Sequence, residues 1–348
     1  MIKYLGSKRL LVPLITELIG GLEEVREVVD LFSGTSRVGH ALKERGYRVR
    51  SNDLNTYAAT LARAYIAADA EDVVDEAARW LAHLSALPGE EGYFTETFCR
   101  QSRFFQPHNG ARVDAIREAI ARAALPAELE AVLLVSLMEA ADRVDSTTGL
   151  QMAYLKGWAP RSFKDLALRM PQVLPRARHG KGEAWQLDAR EAARRLTGDL
   201  VYLDPPYNQH KYLGNYHIWE TLVRWDRPAH YGVACKREEV RSRHSPFNAR
   251  RGILPALTEV IEQLDARHLL VSFSDEGWVS GEELLALLEP RGEVAVIARD
   301  HPRYVGARIG IFNPSGERVG EVGRLRNREQ LFLVGPGAQQ AARSVSGA

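Results

Sequence analysis

The chain has 348 residues, 45% of them hydrophobic and 26% charged, with a formal net charge of +1. That length suits one large α/β domain carrying an insert, and the proportions are those of a soluble globular protein rather than a disordered or fibrous one. No apolar run approaches the roughly 20 residues that span a bilayer, and the two cysteines, Cys99 and Cys235, are too few for a disulfide framework or a cysteine-rich zinc site.

The first segment, MIKYLGSKRLLVPLITELI, has charges inside its apolar stretch and no small-residue cleavage site, so it does not read as a secretory signal. With reduced thiols expected, the compartment reading is cytoplasmic. A helical period runs over Leu10–Leu22, ahead of a β-rich run at Val28–Phe32. A helix over Val38–Arg45 then leads to a second strand at Tyr47–Asp53. From Thr56 to about Glu183 the pattern is helical and alanine-rich, clearest at Tyr57–Ala68, Val73–Leu84, Val113–Ala123 and Glu128–Asp142. Two polar segments there, 104–110 and 145–149, read as connector loops. Strands resume at Trp185–Asp188, Leu200–Leu203, His268–Ser274, Val294–Arg299 and Gln330–Val334, with helices over Leu254–Leu264 and Glu282–Leu288. Residues 338–348 read as a flexible tail.

Seven strands alternating with helices, several apolar without a two-residue period, predict a doubly wound, mostly parallel sheet. The expected division is a catalytic domain of residues 1–55 and 184–337 with a helical insert at 56–183.

The first strand runs into Asp30-Leu31-Phe32-Ser33-Gly34-Thr35-Ser36. A strand, a tight glycine turn and a helix bring backbone N–H groups beside a ligand above the sheet. The second strand ends at Asp53, about 20 residues after the turn, where an acid can accept both hydroxyls of a ribose. Near the amino terminus, Tyr4 offers a flat ring and Lys8 a cation able to meet a ligand carboxylate.

Leu200-Val201-Tyr202-Leu203 runs straight into Asp204-Pro205-Pro206-Tyr207. Two prolines cannot continue a ladder, so the chain leaves the sheet rigidly at the edge where open α/β sheets hold ligands. The arrangement suits an exocyclic amine, whose lone pair is delocalised into its ring. The Asp204 carboxylate and the Pro205 carbonyl, set by proline's fixed φ, can each accept one N–H and free that lone pair to attack a sulfonium methyl. Tyr207 can stack on the base, a contact worth roughly 1–3 kcal/mol. No metal is needed.

Charge is uneven along the chain. Between Arg224 and Arg251 eight basic residues face three acidic ones, a local excess of +5 in a chain of +1. Such asymmetry suits a polyanion-binding loop. Lys236, Arg237, Arg241, Arg243, Arg250 and Arg251 are candidates for polyanion contact, joined by Asn208, Lys211 and Tyr212 after the proline motif. Whether they read bases or bind phosphates is left open.

Taken in order, K-Y-L-G-S-K (3–8), D-L-F-S-G-T (30–35), N-D (52–53), Q-L-D (186–188), D-P-P-Y (204–207), L-V-S-F-S-D (270–275) and R-N-R-E-Q-L-F-L-V (326–334) resemble the N6-adenine DNA methyltransferases of the DNA adenine methylase family over most of the chain. The resemblance implies a Rossmann-like, seven-stranded S-adenosylmethionine-dependent methyltransferase sheet with a helical target-recognition insert. It implies cofactor contacts from Tyr4, Lys8, Asp30, Phe32, Ser33, Gly34, Thr35, Asp53, Leu54 and Asp188, and catalysis by Asp204, Pro205, Pro206 and Tyr207. It also implies double-stranded DNA as partner, with the target base flipped out, and a place in a restriction-modification system beside a cognate endonuclease. A monomer is expected. Two departures stand out: Ser36, where the family often has glycine, and Tyr4, where tryptophan is common. Four alternatives stay open: N4-cytosine methylation, whose enzymes more often carry serine in place of Asp204; methylation of a protein glutamine; methylation of RNA; and an inactive DNA-binding protein of the same fold.

Overall fold

Every residue of Leu200–Leu203 is buried, and successive side chains go to opposite cores: Leu200 and Tyr202 to one, Val201 and Leu203 to the other. An apolar run without alternation is therefore the signature of a strand covered on both faces. The computed structural model describes residues 1–302, 311–312, 318–320 and 326–346. Seven strands form one sheet: β1 (Glu27–Asp30), β2 (Arg48–Asn52), β3 (Glu183–Trp185), β4 (Leu200–Leu203), β5 (His268–Ser274), β6 (Val294–Pro302) and β7 (Arg326–Val334). Their order is β3-β2-β1-β4-β5-β7-β6. The first five in space run parallel, whereas β7 is antiparallel to both β5 and β6.

All seven predicted strands exist. The third is shifted, 183–185 rather than 185–188, because Gln186–Asp188 leave the ladder: the Leu187 N–H goes to the Asn52 side chain and Asp188 caps a helix. The reversal of strand order lies between β1 and β4, so the carboxyl ends of these strands frame a crevice, the usual ligand position in such sheets.

Helices α1 (Val12–Gly20) and α2 (Arg37–Glu44) cover one face. The helical region on that face comprises α3 (Thr56–Ala62), α4 (Ala70–Ala86), α5 (Pro107–Arg122) and α6 (Ala127–Val144), and later α8 (His217–Arg224) joins it. Helices α7 (Ala189–Arg195), α9 (Ile253–Gln263) and α10 (Gly281–Leu288) cover the other face. Residues 56–144 share one continuous apolar core with β1, β4 and α1, so the insert is packed into the sheet's own core.

Two expectations from the sequence fail here. The residues read as a flexible tail form α11 (Ala338–Ser346), whose Ala338 and Ala341 are fully buried. Alanine-rich and polar, this stretch lacked an apolar signal, but small side chains let it lie close on α1, with Ala341 against Gly21. The segments 104–110 and 145–149 are not simple connectors. Phe104 and Phe105 are core residues, Asn109 holds the backbone of 162–166, and buried Asp145 binds Lys3 and Arg161.

Candidate functional site

The turn after β1 needs unusual backbone. Gly34 has φ +51°, and a Cβ there would stand 3.2 Å from the Tyr4 ring, already a tight approach. Ser36, at the position where the sequence lacks glycine, also takes a left-handed φ of +58°, a conformation a serine adopts at some cost. Its hydroxyl is buried without a partner, as is that of Ser33. Ser33, Gly34 and Thr35 of this turn line a cleft that also takes in Tyr4, Asp53 and Asp204.

Asp53 leaves the end of β2 and is locked in place. Its Oδ2 accepts the Gly34 N–H at 3.0 Å, and its Oδ1 accepts from the Asn55 amide and side chain at 2.9 and 3.1 Å. Oδ1 is fully used and Oδ2 keeps one free lone pair, so one acceptor position remains for the expected ribose contact. Asp188 caps α7 through Oδ1, lines the cleft and is held by Arg190. Phe32 makes an edge contact with Phe247 at 5.2 Å, giving that end of the cleft an apolar wall. Leu54 and Thr35 complete the lining. Asp30 is buried at 1% exposure, with the Gly39 amide beside its carboxyl but no well-formed hydrogen bond to either oxygen. Burial and the neighbouring charges of Asp204 and Asp53 push its pKa up to about 8. A cationic ligand group beside it would restore the carboxylate. Together, the locked Asp53, the buried acid and the unpartnered Ser33 hydroxyl, all of which line the cleft, fit an adenosyl sulfonium donor.

At the other end of the cleft Asp204 leaves β4, 20% exposed, and meets the Lys8 ammonium at 3.0 Å. Lys8 also reaches Glu329 of β7 at 3.3 Å. Burial disfavours the ammonium, but Asp204 and Glu329 outweigh it and the Lys8 pKa stands well above that of an ordinary lysine. Burial raises Asp204 to about 6 against the opposing charge of Lys8. The expected role of Lys8, pairing with a ligand carboxylate, is thus already taken by protein carboxylates. Pro205 is buried, and Tyr207 packs on Phe273 at 5.7 Å while its carbonyl accepts the Trp278 N–H.

Tyr4 lies near-parallel to Tyr216 and Tyr212, at 4.6 and 5.3 Å between ring centres, and those two rings are 6.5 Å from each other, so the three form one cluster. Tyr4 also packs on the Gly34 turn and lines the cleft. Glu220 of α8, unremarked in the sequence, is buried and accepts the Thr56 and Tyr57 N–H groups, tying the insert to the loop that carries Tyr212.

The candidate DNA residues separate into groups. Asn208 spends its side chain on the His210 amide. The Lys211 ammonium holds the carbonyls of Val240 and Arg243, and Arg243 reaches back to the Leu54 carbonyl, so both tie the basic segment over the cleft mouth. Arg241 lies 3.8 Å over the Tyr231 ring and pairs with Glu238. Arg237 fails the expectation: it is 2% exposed and bound to Asp226 and Glu239, a structural cation that charge counting cannot distinguish. Arg250 and Arg251 are exposed, and among the described residues neither they nor half-buried Lys236 has a carboxylate partner.

The glycine turn, Asp53 and the proline-rigid exit converge on one crevice of a seven-stranded sheet, the architecture of an S-adenosylmethionine-dependent methyltransferase. The chain belongs to the D12 class of N6 adenine-specific DNA methyltransferases, whose family model matches residues 4–286. It is 31% identical to the type II methyltransferase M.FokI of Planomicrobium okeanokoites over 83% of this chain and 47% of that protein. It is 29% identical to the modification methylase StsI of Streptococcus sanguinis over 82% of this chain and 46% of that protein. Its similarity to the type II methyltransferase M.NlaIII of Neisseria lactamica, at 28%, extends over 86% of this chain and 92% of that one. The chain thus spans about half the length of two of these relatives and nearly all of the third.

Proposed function

We propose that this chain is a site-specific, adenine-specific DNA methyltransferase that moves a methyl group from S-adenosylmethionine to N6 of an adenine flipped out of duplex DNA. The observation that carries the reading is that Asp204 and Pro206 of the proline exit line one cleft with the Ser33–Thr35 turn, within a chain of the adenine-specific family. The donor, when bound, supplies an electrophilic methyl on a sulfonium.

The chain's own residues do the rest. Asp53 binds the ribose, Phe32 and Asp188 bracket the donor's base, and Asp30 meets its cationic end. Asp204 and the Pro205 carbonyl accept the two N–H bonds of the target amine, so nitrogen lone-pair density is freed from the ring. As the new N–C bond forms, the methyl's bond to sulfur would break with its electron pair left on a neutral thioether; nitrogen gains positive charge and sheds one proton, for which the Asp204 carboxylate is the nearest base. Tyr207 stacks on the extruded ring, and the exposed part of the basic segment, with the helical insert of 56–183 as the main target-recognition region, holds the duplex.

The similarity to type II methyltransferases supports a modification role beside a restriction endonuclease. Transfer of labelled methyl to unmethylated duplex DNA tests the reading. The wild-type chain labels DNA, and Asp204→Ala lowers the rate by about 100- to 10,000-fold. An Asp204→Ala variant of near-normal rate would remove the assigned chemistry.

A further inference from the structure

Lys8 is 7% exposed and holds two carboxylates at once, Asp204 on the cleft side and Glu329 behind it, itself 7% exposed. One cation shared between two anions in a desolvated site is unusual, because each unbalanced buried charge is costly. A lysine kept only to neutralise Asp204 would need no second carboxylate. The sheet itself holds Glu329 there: β7 is the antiparallel strand beside β5, and its register places Glu329 opposite Ser274 at the end of that strand, near the exit that carries Asp204.

We propose that Glu329 is a positioning residue for methyl transfer: by taking one N–H of Lys8 it keeps the ammonium from closing a one-to-one ion pair on Asp204, leaving that carboxylate able to accept the target amine. This rests on the reading of Asp204 given above. The target N–H and the Lys8 N–H compete for the same acceptor, so the strength of the Lys8–Asp204 contact sets how readily the amine is received. Glu329 also adds its negative charge to the field at Asp204 and makes that carboxylate more basic, which favours uptake of the departing proton.

The test is the pH dependence of the single-turnover rate of methyl transfer, with donor binding measured separately by calorimetry. Glu329→Gln is expected to slow transfer about tenfold near neutral pH and to move the acid limb of the profile about one unit lower, because a like charge next to Asp204 is lost. Donor affinity is expected to change less than about threefold, since Glu329 lies behind Lys8 and away from the donor turn. Glu329→Asp keeps the charge and should retain the wild-type acid limb. A Glu329→Gln enzyme with unchanged rate and profile overturns the proposal, as does a Glu329→Asp enzyme whose acid limb moves as far as that of the glutamine form. Should the glutamine variant not fold, Glu329→Asp is read by its rate: the shorter side chain withdraws the acceptor from Lys8, so transfer slowed severalfold with an unmoved acid limb is expected, and a wild-type rate overturns the proposal. If the wild-type chain transfers no methyl to DNA, the functional reading fails instead, so the two failures are distinguishable.

Discussion

At the scale of single residues, two carboxyls in the cleft carry opposite demands. Asp204 works as an acceptor only when ionised, and burial has raised it to about 6. Methyl transfer is therefore expected to fall as pH drops through about 6, and a profile flat down to pH 5 would contradict that. Asp30 has gone further, to about 8, so in the free protein it is largely protonated at neutral pH. A carboxyl whose folded pKa lies above its unfolded value binds a proton in the native state that the unfolded chain has released. Its contribution to stability is therefore lost as pH rises from about 4 towards 8. Asp30→Asn removes this penalty. Its melting temperature should exceed that of the wild type, by more at pH 8 than at pH 5, while donor affinity falls because the acid is gone. A melting difference independent of pH, or an unchanged donor affinity, would count against the assignment. Stability given up at a binding site is a recurrent trade.

At the scale of elements, two features behave unlike their sequence. The carboxy-terminal helix α11 is anchored by alanines against α1. A charge placed there is buried without a partner, so Ala341→Asp is expected to cost about 2–4 kcal/mol, read as a lower denaturation midpoint. A truly frayed tail would tolerate it. The basic segment 224–251 divides in the same way. Arg250 and Arg251 are exposed, so Arg250→Gln or Arg251→Gln should each reduce the slope of log affinity against log salt by about 0.9 with little change in melting. Arg237 sits in a buried ion-pair cluster with Asp226 and Glu239, so Arg237→Gln should act on melting and barely on the salt slope. The reverse pattern would invalidate the division.

At the scale of the whole molecule, the legible parts were those with a strong local cause. Strands buried on both faces announce themselves as apolar runs, and Asp204-Pro205-Pro206-Tyr207 marks a strand exit because prolines end a ladder. What stayed hidden depends on partners distant in sequence. Glu329 meets Lys8 across 321 residues, Glu220 meets Thr56 and Tyr57 across 164 and 163, and nothing local distinguishes buried Arg237 from exposed Arg251. The helical region 56–144 shares the core of the sheet, so it is joined to the catalytic sheet through packed side chains and not through a loose linker. The most direct test of the account is nucleoside analysis of unmethylated duplex DNA after incubation with the protein and S-adenosylmethionine. N6-methyladenine is the predicted product, and N4-methylcytosine, or no methylated nucleoside at all, would contradict it.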